Sequence, residues 1–152
     1  MTNISSVASK SEWAASLEAA LHNAERAEEL LSYAGDQLSE AERKVAGSYY
    51  TPVDVARHFW SEYCLRSGIF TAKAAQELLQ KYHFIEPAAG AGVLFFSLLD
   101  QMSKKGADVS SIAGIHTTFV DVNASALEFI RGEISKIERR FKLAFKNVSY
   151  IH

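Results

Sequence analysis

The sequence predicts an α/β fold: about three parallel strands with flanking helices, preceded by a helical N-terminal arm. Three observations predict it. From residue 83 onward, short apolar and β-branched runs alternate with stretches of helical periodicity, in the order strand, helix, strand, helix, strand. Before residue 47 there is helical periodicity and no strand-like run. Between the first strand and its helix lies a loop of one acid followed only by Pro, Ala and Gly.

Each element has its own signal. Residues 1–10 are polar and Ser-rich and read as a disordered start. The arm, 11–46, opens at Ser11-Glu12 and carries Trp13, Leu17, Ala20, Leu21, Ala24, Ala27, Leu30 and Leu31 at three- and four-residue steps, with Gly35 as its stop. A second short helix is expected from Ser39 to Gly47. Ser48 to Thr51 is extended because Pro52 disfavours helix at the residue before it. Pro52 then fits the first turn of a helix running to about Arg66. Another helix spans Thr71 to Lys81, followed by a strand from His83 to Ile85. A helix from Val93 to about Ser103, a strand from Ile115 to Val120, a helix capped by Asn123 or Ser125 and running to about Arg140, and a strand from Ala144 to Ile151 complete the chain.

Composition bounds the rest. With 152 residues the chain can bury roughly 70% of its unfolded surface. Its formal charge of −2 announces no nucleic-acid surface. A lone cysteine, Cys64, cannot form an internal disulfide and reads as a small buried hydrophobe. No signal peptide and no apolar run of about 20 residues is present, so a reducing, cytoplasmic setting is expected.

The chemistry concentrates at Glu86-Pro87-Ala88-Ala89-Gly90-Ala91-Gly92. Glycines permit left-handed torsions and close backbone approach, and the helix beyond them offers free amides to a polar ligand group. A carboxylate at the strand's end can accept hydrogen bonds from a ligand amine. Asp121, ending the next strand, stands where an acid reaches ribose hydroxyls, although it could equally cap a helix. Its distance from Gly92 exceeds the spacing of about 20 residues in the dinucleotide fingerprint, which argues against a nicotinamide cofactor.

Upstream, Gly47-Ser48-Tyr49-Tyr50-Thr51-Pro52 resembles the Gly-x-Tyr/Phe-Tyr/Phe-Thr-Pro segment of adenine-specific DNA methyltransferases of the restriction-modification type. Their Asp-Pro-Ala-Ala/Cys-Gly-Ser/Thr-Gly loop is matched by Glu86 to Gly92, and their second-strand acid by Asp121. The resemblance covers about residues 47–152. It implies a Rossmann-like sheet and S-adenosyl-L-methionine as cofactor. Tyr50, Thr51 and Pro52 would close over the methionine moiety, while Glu86, Pro87, Ala88, Gly90 and Gly92 would hold its amino-acid part. Asp121 would bind the ribose, and Val122 would lie beside the adenine. Glu86 in place of Asp adds a methylene, and Ala91 in place of Ser or Thr removes a hydroxyl.

The family transfers its methyl group with an Asn/Asp-Pro-Pro-Tyr/Phe motif, which orients a flipped adenine. Only Pro52 and Pro87 occur here, so that motif is absent and no catalytic residue is assigned. The expected domain, 47–152, is a truncated S-adenosylmethionine-binding domain, inactive alone, acting on DNA only as part of a full enzyme. A sheet ending at its third strand leaves the first strand's edge open. Either a second polypeptide or self-association would complete it, or the arm would fold over the exposed surface. The alternative reading is a non-catalytic, methyltransferase-like accessory module working through protein contacts.

Other candidates read as structural. His58, His83, His116 and His152 are too scattered for a metal site. Phe59-Trp60 and Phe95-Phe96 read as core aromatics. Lys136, Arg139, Arg140, Lys142 and Lys146, interleaved with Glu133 and Glu138, read as a solvated helix face.

Overall fold

The structure is a computed structural model that describes residues 9–35 and 51–152, with the backbone alone given for 31–35. The expected helix 39–47, the Ser48–Tyr50 segment and the first eight residues lie outside the described residues. The described elements are α1 (Lys10–Gly35), α2 (Val53–Arg66), α3 (Ala72–Lys81), β1 (His83–Glu86), α4 (Val93–Lys104), α5 (Val109–Ala113), β2 (His116–Val120), α6 (Ala124–Phe141) and β3 (Asn147–Ile151). The class is α/β, mostly helical, with a three-stranded parallel sheet in the order β1-β2-β3. Among the described residues no helix is long and apolar enough to cross a membrane.

Boundaries moved where local hydrogen bonding decides them. The arm opens at Lys10 because Ser9 and Glu12 form a capping box: the Glu12 amide donates to Ser9 Oγ, and the Ser9 amide donates to Glu12 Oε2 at 2.8 Å. Strand β3 starts at Asn147, three residues later than expected. The Phe145 amide donates to Glu138 Oε1 at 2.8 Å, which keeps that turn tied to α6. The short α5, unforeseen in the sequence, is one turn capped by Asp108, whose carboxylate accepts from the Ser111 amide at 2.7 Å.

In register, β1 residues Phe84 and Glu86 pair with Thr117 and Phe119 of β2, and these pair with Val148 and Tyr150 of β3. Successive residues of a strand point to opposite faces, so these six share one face. Both crossovers run the same way along the sheet, for which the usual right-handed sense puts α4 and α6 on one side, and α1 packs on both. Phe119 is fully buried there, edge-on to Phe95 of α4 with ring centroids 4.9 Å apart and stacked on Tyr150 at 5.6 Å. The opposite face carries His83, Ile85, His116, Asn147, Ser149 and Ile151, all exposed, with Thr118 buried and Val120 half-buried in the middle strand. The sheet is covered on one side by the described elements, an unusual condition for parallel strands.

Helix α1 does not lie over that bare face. It packs on α4 and α6, on the covered side, with Leu17, Leu21 and Ala24 fully buried and Trp13 edge-on to Phe141 at 4.7 Å. Glu133 of α6, buried, accepts from Asn23 Nδ2 of α1 at 3.1 Å and pairs with Lys136. Helix α2 packs on α4, where the Trp60 indole donates to the Leu94 carbonyl at 2.8 Å. Cys64 is buried and free, and burial pushes its thiol pKa up.

Candidate functional site

Strand β1 ends at Glu86 and hands the chain to a tight loop at the carboxyl edge of the sheet. The loop is tied to β2, the Ala89 amide donating to the Val120 carbonyl at 3.0 Å. It closes on itself, the Gly92 amide donating to Ala89 O at 2.8 Å. Gly90 and Gly92 take φ of 52° and 82°, a region that a side chain disfavours. At Gly92, which caps α4, a Cβ would stand 3.1 Å from Ile130 Cγ1 and 3.2 Å from Phe96 Cε2. The close approach there is therefore to the protein's own core.

Asp121, just past β2, reaches back to this loop. Its Oδ2 accepts from the Gly90 amide at 2.7 Å, and its Oδ1 accepts from the Asn123 amide at 2.8 Å. The cap of α6 is Asn123, whose side chain accepts from Ser125 and Ala126 amides. Asp121 thus binds the two β–α loops together, which neither the ribose reading nor the helix-cap reading had anticipated.

Of the remaining sequence-predicted residues, Pro87 and Ala88 are exposed on the rim of the loop. Val122 is 84% exposed at the carboxyl end of β2. Thr51 is half-buried and Pro52 exposed at the start of α2. Tyr50 lies outside the described residues. Glu86, Gly90, Gly92 and Asp121 come together. No hydrogen bond joins Thr51 or Pro52 to that loop among the described residues.

Glu28, on the arm, escaped the sequence reading. It is only 7% exposed, and its Oε1 accepts from the Ala91 amide at 3.3 Å. Burial pushes its carboxyl up to about 7, against the Ala91 hydrogen bond and helped by the charge of Glu25. Glu86 is pushed up to about 8, chiefly by burial and then by the charges of Glu28 and Asp121. The signal was present: Leu17, Leu21, Ala24 and Glu28 follow steps of four, three and four, which set an acid in phase with a buried stripe.

No protein-family model, curated protein or solved structure matches this chain. What the site can do is read from its own groups. Three carboxyls meet at one end of the sheet beside backbone amides and an exposed apolar side chain. Among the described residues the Glu86 side chain makes no hydrogen bond and no ion pair, so its carboxyl is available to a donor. Such a place suits a ligand that bears an amine, hydroxyls and a flat apolar part. Among the described residues no group of three His, Cys, Asp or Glu is placed to hold a metal. His83 and His116 do come side by side on the bare sheet face, with ring centroids 6.4 Å apart, and His83 Nε2 lies 2.8 Å from Thr118 Oγ1.

A second feature lies at the open edge of β1. There α2 and α4 leave a cavity of about 200 Å³ walled by Phe59, Trp60, Phe84, Leu94 and Phe95, with Glu86 also in its lining. Phe95 and Phe96 are core residues as expected, but Phe59 is half-exposed. The basic side chains Lys136, Arg139, Arg140, Lys142 and Lys146 are all exposed, whereas Glu133 among them is buried.

Proposed function

We propose that this chain is the S-adenosyl-L-methionine-binding portion of a DNA adenine methyltransferase, of the restriction-modification type, without the transfer motif. The observation that carries this reading is the convergence of Glu86, the Gly90–Gly92 loop and Asp121 at the carboxyl edge of a parallel sheet, where such folds take nucleotide ligands. Glu86, with Pro87, Ala88, Gly90 and Gly92, would hold the amino-acid part, Asp121 the ribose diol and Val122 the adenine. Tyr50, Thr51 and Pro52 would close over the methionine chain. The donor set fits: Glu86 is uncommitted among the described residues, and Val122 is open to stacking. Asp121 already accepts one amide on each oxygen, so a ribose hydroxyl would use a second lone pair.

The cofactor when bound would supply an electrophilic methyl group. The residues present bind and orient; base orientation would fall to another polypeptide or segment that also continues the sheet at β1. DNA would be met only in that complete assembly, in the cytoplasm.

Titration calorimetry with S-adenosylmethionine tests the reading. Binding is expected, and Asp121→Ala should weaken it by about 1.5–3 kcal/mol through loss of charge-assisted hydrogen bonds. Absence of binding to the unmodified chain would sink it. An accessory module that works by protein contacts alone is the second reading, favoured by the sheet face and the β1 edge that the described residues leave uncovered.

A further inference from the structure

We propose that the cavity between β1, α2 and α4 is a binding site for a small alkylated ammonium ion, held by aromatic walls and by Glu86. This goes beyond the S-adenosyl reading and does not rest on it.

The cavity measures about 200 Å³ and opens to solvent beside Phe59, which is half-exposed in its wall. Sites for drug-sized ligands run from roughly 300 to 1,000 Å³, so this one takes a small head group and not a whole nucleotide. Aromatic rings form much of the wall: Phe59, Trp60, Phe84 and Phe95. Those around Trp60 do not stack. Trp60 meets Phe59 at an interplanar angle of 76° with centroids 4.8 Å apart, and Phe84 at 67° and 6.2 Å. The three rings form a corner, where one guest can meet more than one ring within the roughly 6 Å over which an aromatic face attracts a cation. The corner is held in advance, because the Trp60 indole is tied to the Leu94 carbonyl.

The charge of the site has one sign. Strand alternation sets Glu86 on the same face as Phe84 and Thr117, and all three line the cavity. Glu86 is the sole ionisable residue in that lining, and its side chain has no partner among the described residues. Helices α2 and α4 bring no cation to the cavity wall. The charged groups that act on Glu86 are Glu28 of α1 and Asp121 beyond β2, both acids. An unpaired acid beside apolar rings is costly to ionise, and burial with those two charges pushes its carboxyl up to about 8. A guest cation reverses this by favouring the charged form. An uncharged guest of the same shape gains the rings and leaves the acid unpaired. Among cations, a primary ammonium brings three N–H donors to a wall that is mostly carbon. A trimethylammonium brings none and lays its charge on methyl groups against the rings.

The test is titration calorimetry of the full chain with two probes, choline and its uncharged isostere 3,3-dimethyl-1-butanol, in which carbon replaces the nitrogen. No nucleotide is present, so the outcome does not depend on whether S-adenosylmethionine binds. Choline should bind at least about tenfold more tightly than the alcohol at about pH 8. Its affinity should rise towards about pH 8 and level off above, because below that value Glu86 must first lose its proton. Glu86→Gln should weaken choline by about tenfold, abolish the pH dependence and leave the alcohol within about twofold. Phe59→Ala, at a half-exposed ring, should weaken choline by about threefold. Equal binding of the two probes would reduce the cavity to an apolar hollow and overturn the inference, as would failure of the unmodified chain to bind choline. Unchanged choline affinity in either variant would overturn it too.

Discussion

At the scale of single residues, the paired acids make stability depend on pH in an unusual direction. Glu28 and Glu86 both have folded-state pKa values raised, to about 7 and about 8, above the ordinary value of 4.5. Between about pH 4.5 and 8 the folded chain therefore holds more protons than the unfolded one. The stability these two groups contribute is fully present below pH 4.5 and is lost as pH rises through 7 and 8. Thermal melts without ligand should give a midpoint that falls from pH 5 to pH 8, and Glu28→Gln should flatten part of the decline. A midpoint that rises over this window would contradict the assignment. The sequence exposed Glu86 and Asp121 because each ends a strand, a local feature. It hid the bond from Ala91 to Glu28, because nothing local connects positions 63 apart.

Among elements, the join between arm and domain is the one to probe. Helix α1 lies against α4 and α6, and its polar tie to α6 is Asn23 to Glu133, a buried acid that also pairs with Lys136, beside its bonds from Glu28 to the Ala91 amide and from Glu18 to Arg57. Glu133→Ala should cost about 1–3 kcal/mol, since it removes the acceptor and leaves Asn23 without that partner. A double-mutant cycle with Asn23→Ala should show coupling of at least about 0.5 kcal/mol by denaturant unfolding. Additive effects would mean that the Asn23–Glu133 bond does not help to dock the arm. The helices and strands themselves were largely legible, because periodicities of 3.6 and 2 are local properties of the chain. Glu133 was misread as solvated because its helix face is basic in sequence, whereas its position in the turn points at α1. One-turn α5 is too short to show a period, and Ser9 caps α1 from a stretch that composition marks as disordered.

At the scale of the whole molecule, the dominant fact is that the described elements cover the sheet on one side. Among the described residues strand β1 pairs only with β2, and the face they leave uncovered mixes polar His83, His116, Asn147 and Ser149 with Ile85 and Ile151, which are 63% and 52% exposed, around a buried Thr118. Open edges invite pairing with another strand. Multi-angle light scattering of the isolated chain should show self-association or, with a strand-supplying second polypeptide, a defined complex. Ile85→Lys, which sets a charge on the edge strand, should reduce either. A monodisperse monomer that ignores such a polypeptide would remove this proposal. The open edge followed from strand count. The position of the arm did not, since an amphipathic helix does not encode which of several apolar surfaces it will meet.

The cavity beside β1 gives the molecule a built-in optical reporter. The chain has two tryptophans. Trp13 is 2% exposed against Phe141 and does not line the cavity, whereas Trp60 walls it with its indole nitrogen fixed to the Leu94 carbonyl. A side chain inserted from a neighbouring strand would change the surroundings of Trp60 and leave Trp13 untouched. Any emission change on assembly can therefore be assigned to one indole by comparing the protein with its Trp60→Phe variant, and the fluorescence then reads occupancy of the edge directly, without a label.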